Sequence, residues 1–273
     1  MLKPAKLYKY QSFSNQTIEN LKSQIIFFSH PNKFNDPFDC SFVDIESSLS
    51  DDDYKQLYDH FFNLTDDNGR EEMVDLFLDE KGSYTGFFKT ETHRALNTMF
   101  NDPEMPLFYD RTINKGIACL TSKHDDILMW AHYADGHRGF CLEFDRSIVP
   151  FNSAKKVKYS KRRAHFDIVD AIVNKNAQTF VNLIFNKFKA WKYEAEWRMV
   201  HNESGDLPFI YEAKALTGVY FGSEMKHVHK EIICLILSGQ NPDVKFFNGQ
   251  RSGSLFEVSF QEVIYTPHIQ LEE

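Results

Sequence analysis

Several familiar signatures are missing from this chain. No Gly-x-Gly-x-x-Gly and no Gly-Lys-Ser/Thr element occurs, so the phosphate cradles of Rossmann and P-loop proteins have no counterpart here. No His-Glu-x-x-His is present, and His132 and His137 lack the i, i+4 spacing of a helical metal pair. Cys40, Cys119, Cys141 and Cys234 are widely separated, which argues against both a zinc ribbon and a disulfide framework. Cys119 and Cys141 fall in apolar runs and read as small buried hydrophobes. No apolar stretch approaches membrane-spanning length and no apolar signal core opens the chain, so the expected setting is cytoplasmic, with no membrane partner. Positive charge is in deficit: 31 Lys and Arg against 39 Asp and Glu leave a net charge of −8. That balance excludes a protein coated with cations for non-specific nucleic-acid binding, but not a local basic groove.

What is present suits an ordinary globular protein with a core rich in large rings. The 273 residues are 42% hydrophobic and 26% charged, and 26 of them are Phe. With no repeat and no low-complexity linker, residues 1–273 are expected to form a single α+β domain. Strands are predicted at Lys6–Tyr10, Gln24–Ser29, Ile117–Thr121, Phe140–Phe144, Thr217–Phe221, Val244–Phe247 and Leu255–Phe260. Helices are predicted at Asn15–Ser23, Asp125–Tyr133, His165–Lys189 and about Ser223–Leu237. Residues 51–110 are acidic with apolar positions at helical intervals, and read as a helical insertion beside a mixed or antiparallel core sheet.

The densest chemistry lies at Trp191-Lys192-Tyr193-Glu194-Ala195-Glu196-Trp197-Arg198. On an extended strand Glu194, Glu196 and Arg198 share one face, and Tyr193, Ala195, Trp197 and Met199 the other. Two carboxylates side by side suit chemistry at an anomeric carbon, one stabilising positive charge and one orienting a nucleophile. The plain alternative is a solvated face whose charges pair locally. Tyr8-Lys9-Tyr10 puts two rings on one strand face, and Thr121-Ser122 places hydroxyls at a strand end. Trp130, His132 and Tyr133 are close enough to offer stacking and hydrogen bonds to a planar ring. Asn35-Asp36-Pro37-Phe38 reads as a tight turn, and the polar Ser29–Asp36 loop beside a strand end as a plausible ligand contact. The run Lys155-Lys156-Val157-Lys158-Tyr159-Ser160-Lys161-Arg162-Arg163 reads either as a solvated loop or as a backbone-tracking nucleic-acid patch.

Four of these segments carry a resemblance: Leu7-Tyr8-Lys9-Tyr10, Phe34-Asn35-Asp36-Pro37-Phe38, Met129-Trp130-Ala131-His132-Tyr133 with Gly139, and Trp191 to Arg198. In this order they resemble the bacterial and phage family called domain of unknown function 2971. A second resemblance is to ADP-ribosyltransferase folds, with their split β-sheet core. It rests on the order of a first aromatic or basic strand, a strand ending in Ser/Thr, and a Glu-x-Glu strand. It implies an enzyme that takes NAD as substrate and passes ADP-ribose to an unidentified protein or nucleic-acid acceptor, in a setting such as bacterial conflict or phage defence. Glu196 then stands at the catalytic glutamate, with Glu194 acting on the acceptor. Tyr8, Lys9, Tyr10, Thr121, Ser122, Trp130, His132, Tyr133 and Arg198 would contact NAD, and no metal is implied. Against the family pattern, the first motif lacks Arg or His and the Ser-Thr-Ser is incomplete. Two rivals stay open: a nucleic-acid-binding effector module using 155–163, and a divalent-metal nuclease using Asp36, Asp39, Glu194 and Glu196.

Overall fold

The computed structural model describes residues 3–40, 49–101, 115–164, 167–176, 178–201 and 205–266. Its centre is an eight-stranded sheet built from β1 (Lys6–Gln11), β3 (Gly116–Thr121), β4 (Phe140–Asp145), β5 (Lys155–Lys156), β8 (Glu196–His201), β10 (Leu216–Phe221), β11 (Lys245–Arg251) and β12 (Val258–Val263). The spatial order is β12-β11-β10-β4-β1-β3-β8-β5. Only β10 and β11 run parallel; the other neighbours are antiparallel. The fold is therefore α+β with a mixed, mostly antiparallel sheet.

Period-two alternation gives each face a distinct character. Leu7, Ala118, Leu120, Leu142, Phe144, Trp197, Met199, Val219 and Phe221 face a large apolar core. That core is closed by α1 (Asn15–Lys22) through Leu21, by α8 (His227–Ser238) through Ile233 and Leu237, and by the ribbon of β2 (Ile25–Phe28) and β9 (Leu207–Ile210). A Ser14 capping box starts α1 and satisfies donors that a helix end otherwise leaves unpaired. On the opposite face Tyr10, Cys141 and Tyr220 pack under α5 (Ile127–Tyr133), which contributes Met129 and Trp130.

The sheet is narrowest in its pairing at one place. β1 and β4 run in register through six pairs, as do β3 and β8, whereas β1 meets β3 through the single pair Tyr8 and Thr121. The Lys9 ammonium reaches the Cys119 carbonyl at 3.2 Å across that junction. The sheet is thus joined as two halves, with the split beside β1, β3 and β8.

The acidic region holds three helices, α2 (Asp51–Leu64), α3 (Asp67–Phe77) and α4 (Gly86–Asn101); its residues 102–110 lie outside the described residues. These helices close their own small cluster around Tyr54, Tyr58 and Phe88. A second cluster joins Leu57 and Leu96 to Ile168, Val169, Ile172 and Leu183.

The helix predicted over His165–Lys189 is not continuous. His165 and Phe166 lie outside the described residues, as does Ala177. The rest forms α6 (Ile168–Ile172), α7 (Gln178–Ile184) and the strand β7 (Asn186–Phe188), which pairs in parallel with β6 (Lys158–Ser160). The break has a local cause. The Asp170 carboxylate accepts from the amides of Asn174 and Asn176, and Lys175 adopts φ 55°, turning the chain instead of extending the helix. The basic run is also not a loop throughout, since it supplies β5 and β6.

Candidate functional site

Residues 191–198 do not form one extended strand. Lys189–Glu194 is a 3₁₀ turn, Ala195 follows in the left-handed conformation (φ 44°, ψ 46°), and β8 begins at Glu196. The Glu194 and Glu196 carboxylates therefore meet because a kink folds one back toward the other, not because a strand alternates. Nor is this a solvated face: Glu194 and Glu196 are each 3% exposed and Arg198 is fully buried.

Two cations organise three carboxylates there. Arg198 donates from Nε to Glu196 Oε1 at 2.7 Å and from Nη2 to Oε2 at 3.0 Å. The same guanidinium grips Asp39, with Nη1 at 2.9 Å from Oδ1 and Nη2 at 2.6 Å from Oδ2. Such planar two-point pairing is what an arginine fork provides and a lysine does not. Nη1 also donates to the Ile184 carbonyl at 2.6 Å. Lys187 contacts Glu194, lies 3.1 Å from Glu196, and is 3.5 Å from Asp39. Tyr133 closes the set by donating its hydroxyl to Glu194 Oε1 at 2.6 Å.

The two glutamates are driven apart in acidity. For Glu196, burial works against ionisation but is outweighed by Arg198 and Lys187, which hold the carboxyl down at about 2. For Glu194, burial dominates over Lys187 and Tyr133, and the carboxyl is raised above its usual range. Lys187 is held above the usual lysine range because Glu196, Glu194 and Asp39 outweigh its burial. Burial pulls Lys9 downward. A carboxylate fixed in its charged form beside one poised to take a proton is an arrangement that acid-base chemistry uses.

A cavity of about 420 Å³ opens over this cluster at the split in the sheet. Tyr8, Lys9, Tyr10 and Thr121 line one side, and His132 and Tyr133 another, with Glu194, Glu196 and Lys187 at the base. Tyr8, Thr121 and Glu196 stand in one row across three neighbouring strands, since Tyr8 pairs with Thr121 and Thr121 with Glu196. Tyr10 Oη is buried and finds no hydrogen-bond partner among the described residues.

Three expected contacts are placed elsewhere. Trp130 is fully buried, edge-on to Tyr10, with its indole N–H donating to the His124 carbonyl at 2.8 Å, so it supports the wall and does not line it. Ser122 turns its hydroxyl to the Ala195 carbonyl at 3.4 Å. Arg198 spends its donors on Glu196, Asp39 and Ile184 beneath the cavity, where no pyrophosphate reaches it.

Residues 129–199 match the family described as protein of unknown function (DUF2971). This segment is similar to the DUF2971 family. The DUF2971 segment runs from Met129 on α5 to Met199 on β8, and so contains Tyr133, Lys187, Glu194, Glu196 and Arg198. No curated protein and no solved structure matches the chain.

Around this cluster the loop Ser29–Asp36, expected as a ligand contact, does reach the cavity, whereas Lys187 was overlooked. Lys33, Phe34 and Asn35 line the cavity from the loop after β2. Their proximity was signalled by the Phe34–Phe38 motif, though not their side. Lys187, at the base of the cavity, had no such signal, because a lysine inside a presumed amphipathic helix reads as its solvent face. Asp36 sits apart, accepting from the Trp191 indole at 2.8 Å.

Proposed function

We propose that this protein is an ADP-ribosyltransferase-like enzyme that cleaves the nicotinamide glycosidic bond of NAD and passes ADP-ribose to an acceptor. The observation carrying this reading is the row of Tyr8, Thr121 and Glu196 on adjacent strands at a split sheet, facing one cavity. In the reaction the C1′–N1 bond breaks and its electron pair stays on nicotinamide, which leaves neutral and needs no general acid. The ribose passes through an oxocarbenium-like state, so fixed negative charge beneath C1′ lowers the barrier. Glu196, held ionised by Arg198 and Lys187, supplies that charge and an acceptor for a ribose hydroxyl. The acceptor's nucleophilic atom bonds to C1′ and its proton passes to Glu194, whose carboxylate is made by burial a stronger base than an ordinary one. Tyr8 and Tyr133 offer ring faces, their hydroxyls donating to Glu143 and Glu194, and Tyr10 Oη offers an unspent buried donor. Lys9 and Lys33 line the cavity where Arg198 does not, and a pyrophosphate would draw Lys9 from the Cys119 carbonyl and Lys33 from its 2.6 Å pair with Asp206.

The nuclease reading has less support. Asp39, Glu194 and Glu196 converge on the Lys187 ammonium, which occupies the place a divalent ion would need. Asp36 is turned away to Trp191.

The test is nicotinamide release from NAD by the purified full chain, alone and with cell extract as acceptor source. Release is expected from wild type, with NAD raising the melting temperature. Glu194→Gln should keep that thermal shift while cutting transfer by about 10² or more. Absence of both nicotinamide release and an NAD-dependent shift in a folded sample overturns the reading.

A further inference from the structure

A second groove, about 620 Å³, lies on the outer side of the ribbon that closes the site. In the parallel pair β6–β7, Tyr159 pairs with Lys187 and Lys158 with Asn186. Alternation then sends successive residues to opposite sides. Tyr159 and Lys187 reach the buried carboxylates, where the Glu196 amide donates to the Tyr159 hydroxyl at 2.8 Å. Lys158 and Asn186 line the outer groove instead. One ribbon therefore serves as a partition between two concavities.

The outer groove has a consistent chemistry. Lys155, Lys156 and Lys158 line it from the sheet's edge strand and its continuation, all exposed. Lys161 and Arg162 extend the exposed cationic stripe beyond it. Among the described residues none of these five cations has a carboxylate within 4 Å. The floor is Phe185, half-buried, with the Lys155 ammonium 5.9 Å above its ring centre. Gln178 and Asn182, one turn apart on α7, present side-chain amides along the opposite wall. Asp167 and Asp170 also line the groove and keep their charge, but the three lysines outnumber them and amide hydrogen bonds fix both carboxylates in place. Asp167 accepts from the Asp170 amide at 2.8 Å, and Asp170 binds Asn174 and Asn176.

We infer that this groove binds single-stranded nucleic acid. Cations in a row follow a phosphate backbone, an aromatic floor accepts an unstacked base, and amides pair with base edges. The rest of the molecule carries the acidic excess, so attraction to a polyanion is focused at this one edge. The inference does not depend on the NAD reading, and its test contains no NAD.

Fluorescence anisotropy of labelled single-stranded RNA and DNA oligonucleotides with the full chain reads it directly. Binding is expected to weaken with salt, with a log-log slope of about −2 to −3 for three or four phosphate contacts. The triple change Lys155→Glu, Lys156→Glu and Lys158→Glu should weaken binding at least tenfold with an unchanged circular dichroism spectrum. Asn182→Asp, on a different element, should weaken it severalfold, so a folding defect in the first variant does not remove the test. Preference for RNA over DNA would assign a contact to the 2′-hydroxyl, and equal binding would assign backbone and base contacts alone. Absent binding, wild-type binding by both variants, equal affinity for duplex, or equal competition by polyglutamate each overturns the inference.

Discussion

Arg198 and Lys187 hold three buried carboxylates with two cations, and the effects of removing each partner differ. Glu196→Gln leaves both cations short of charge in a nearly dry setting. It should destabilise the protein by about 3–5 kcal/mol in urea unfolding, the range for breaking a buried pair from one side. Glu194→Gln is milder, at about 1–2 kcal/mol, because its amide oxygen can still accept from Lys187 while its NH2 donates to the Tyr133 oxygen. Loss of activity in Glu196→Gln must accordingly be read against its fold, whereas Glu194→Gln reports on chemistry. Tyr133→Phe removes a hydrogen bond that favours the ionised form of Glu194. The Glu194 carboxyl should then titrate at still higher pH by carbon-13 NMR, moving the acid limb of any pH-rate profile to the alkaline side. No change in its titration would show that Tyr133 does not tune it.

Among the elements, the kink before β8 brings the two glutamates together. Ala195 adopts the left-handed conformation, which costs a residue with a β-carbon about 1–2 kcal/mol. Ala195→Gly should therefore be neutral or stabilising by up to about 1 kcal/mol, and Ala195→Val destabilising, as compared by thermal melts. The turn into β4 is constrained differently. Gly139 donates its amide to the Ala134 carbonyl at 2.8 Å, and a β-carbon there would overlap the Gln11 carbonyl oxygen. Backbone atoms of α5, β1 and β4 cannot yield as a flexible side chain would. Gly139→Ala should cost about 3 kcal/mol or more and loosen α5, lowering the protection of its amides in hydrogen exchange.

At the scale of the whole molecule, acid stability follows the same cluster. Glu196 titrates far lower folded than unfolded, so its contribution is present above the unfolded carboxyl range and is lost as pH falls through about 2. Glu194, raised by burial, acts in the opposite sense, favouring the fold below its unfolded range and losing that contribution as pH rises through its folded value. Unfolding free energy measured from pH 6 down to about pH 2 should fall steeply in wild type and less steeply in Glu196→Gln. Parallel curves for the two proteins would remove Glu196 as the source.

Sequence periodicity by itself placed β1, β3, β4 and β10, parts of β11 and β12, and the short helix Ile127–Tyr133, because an element with one apolar and one polar face carries its spacing in local order. It also marked Tyr8, Thr121 and Glu196 as residues of chemical interest, although they are 113 and 75 positions apart in turn. Their alignment in one row was decided by tertiary structure, since β1, β3 and β8 become neighbours only through the strand order. The same holds for Lys187, whose charge is tolerated inside because Glu194, Glu196 and Asp39 arrive from elsewhere to neutralise it. It holds equally for Trp130 and Arg198, whose ring and guanidinium fit a ligand site by type but serve packing and charge balance by position. Residue type and spacing are local properties. Burial and electrostatic pairing depend on which distant segments meet, and in this protein that meeting decides which charged groups face the cavity.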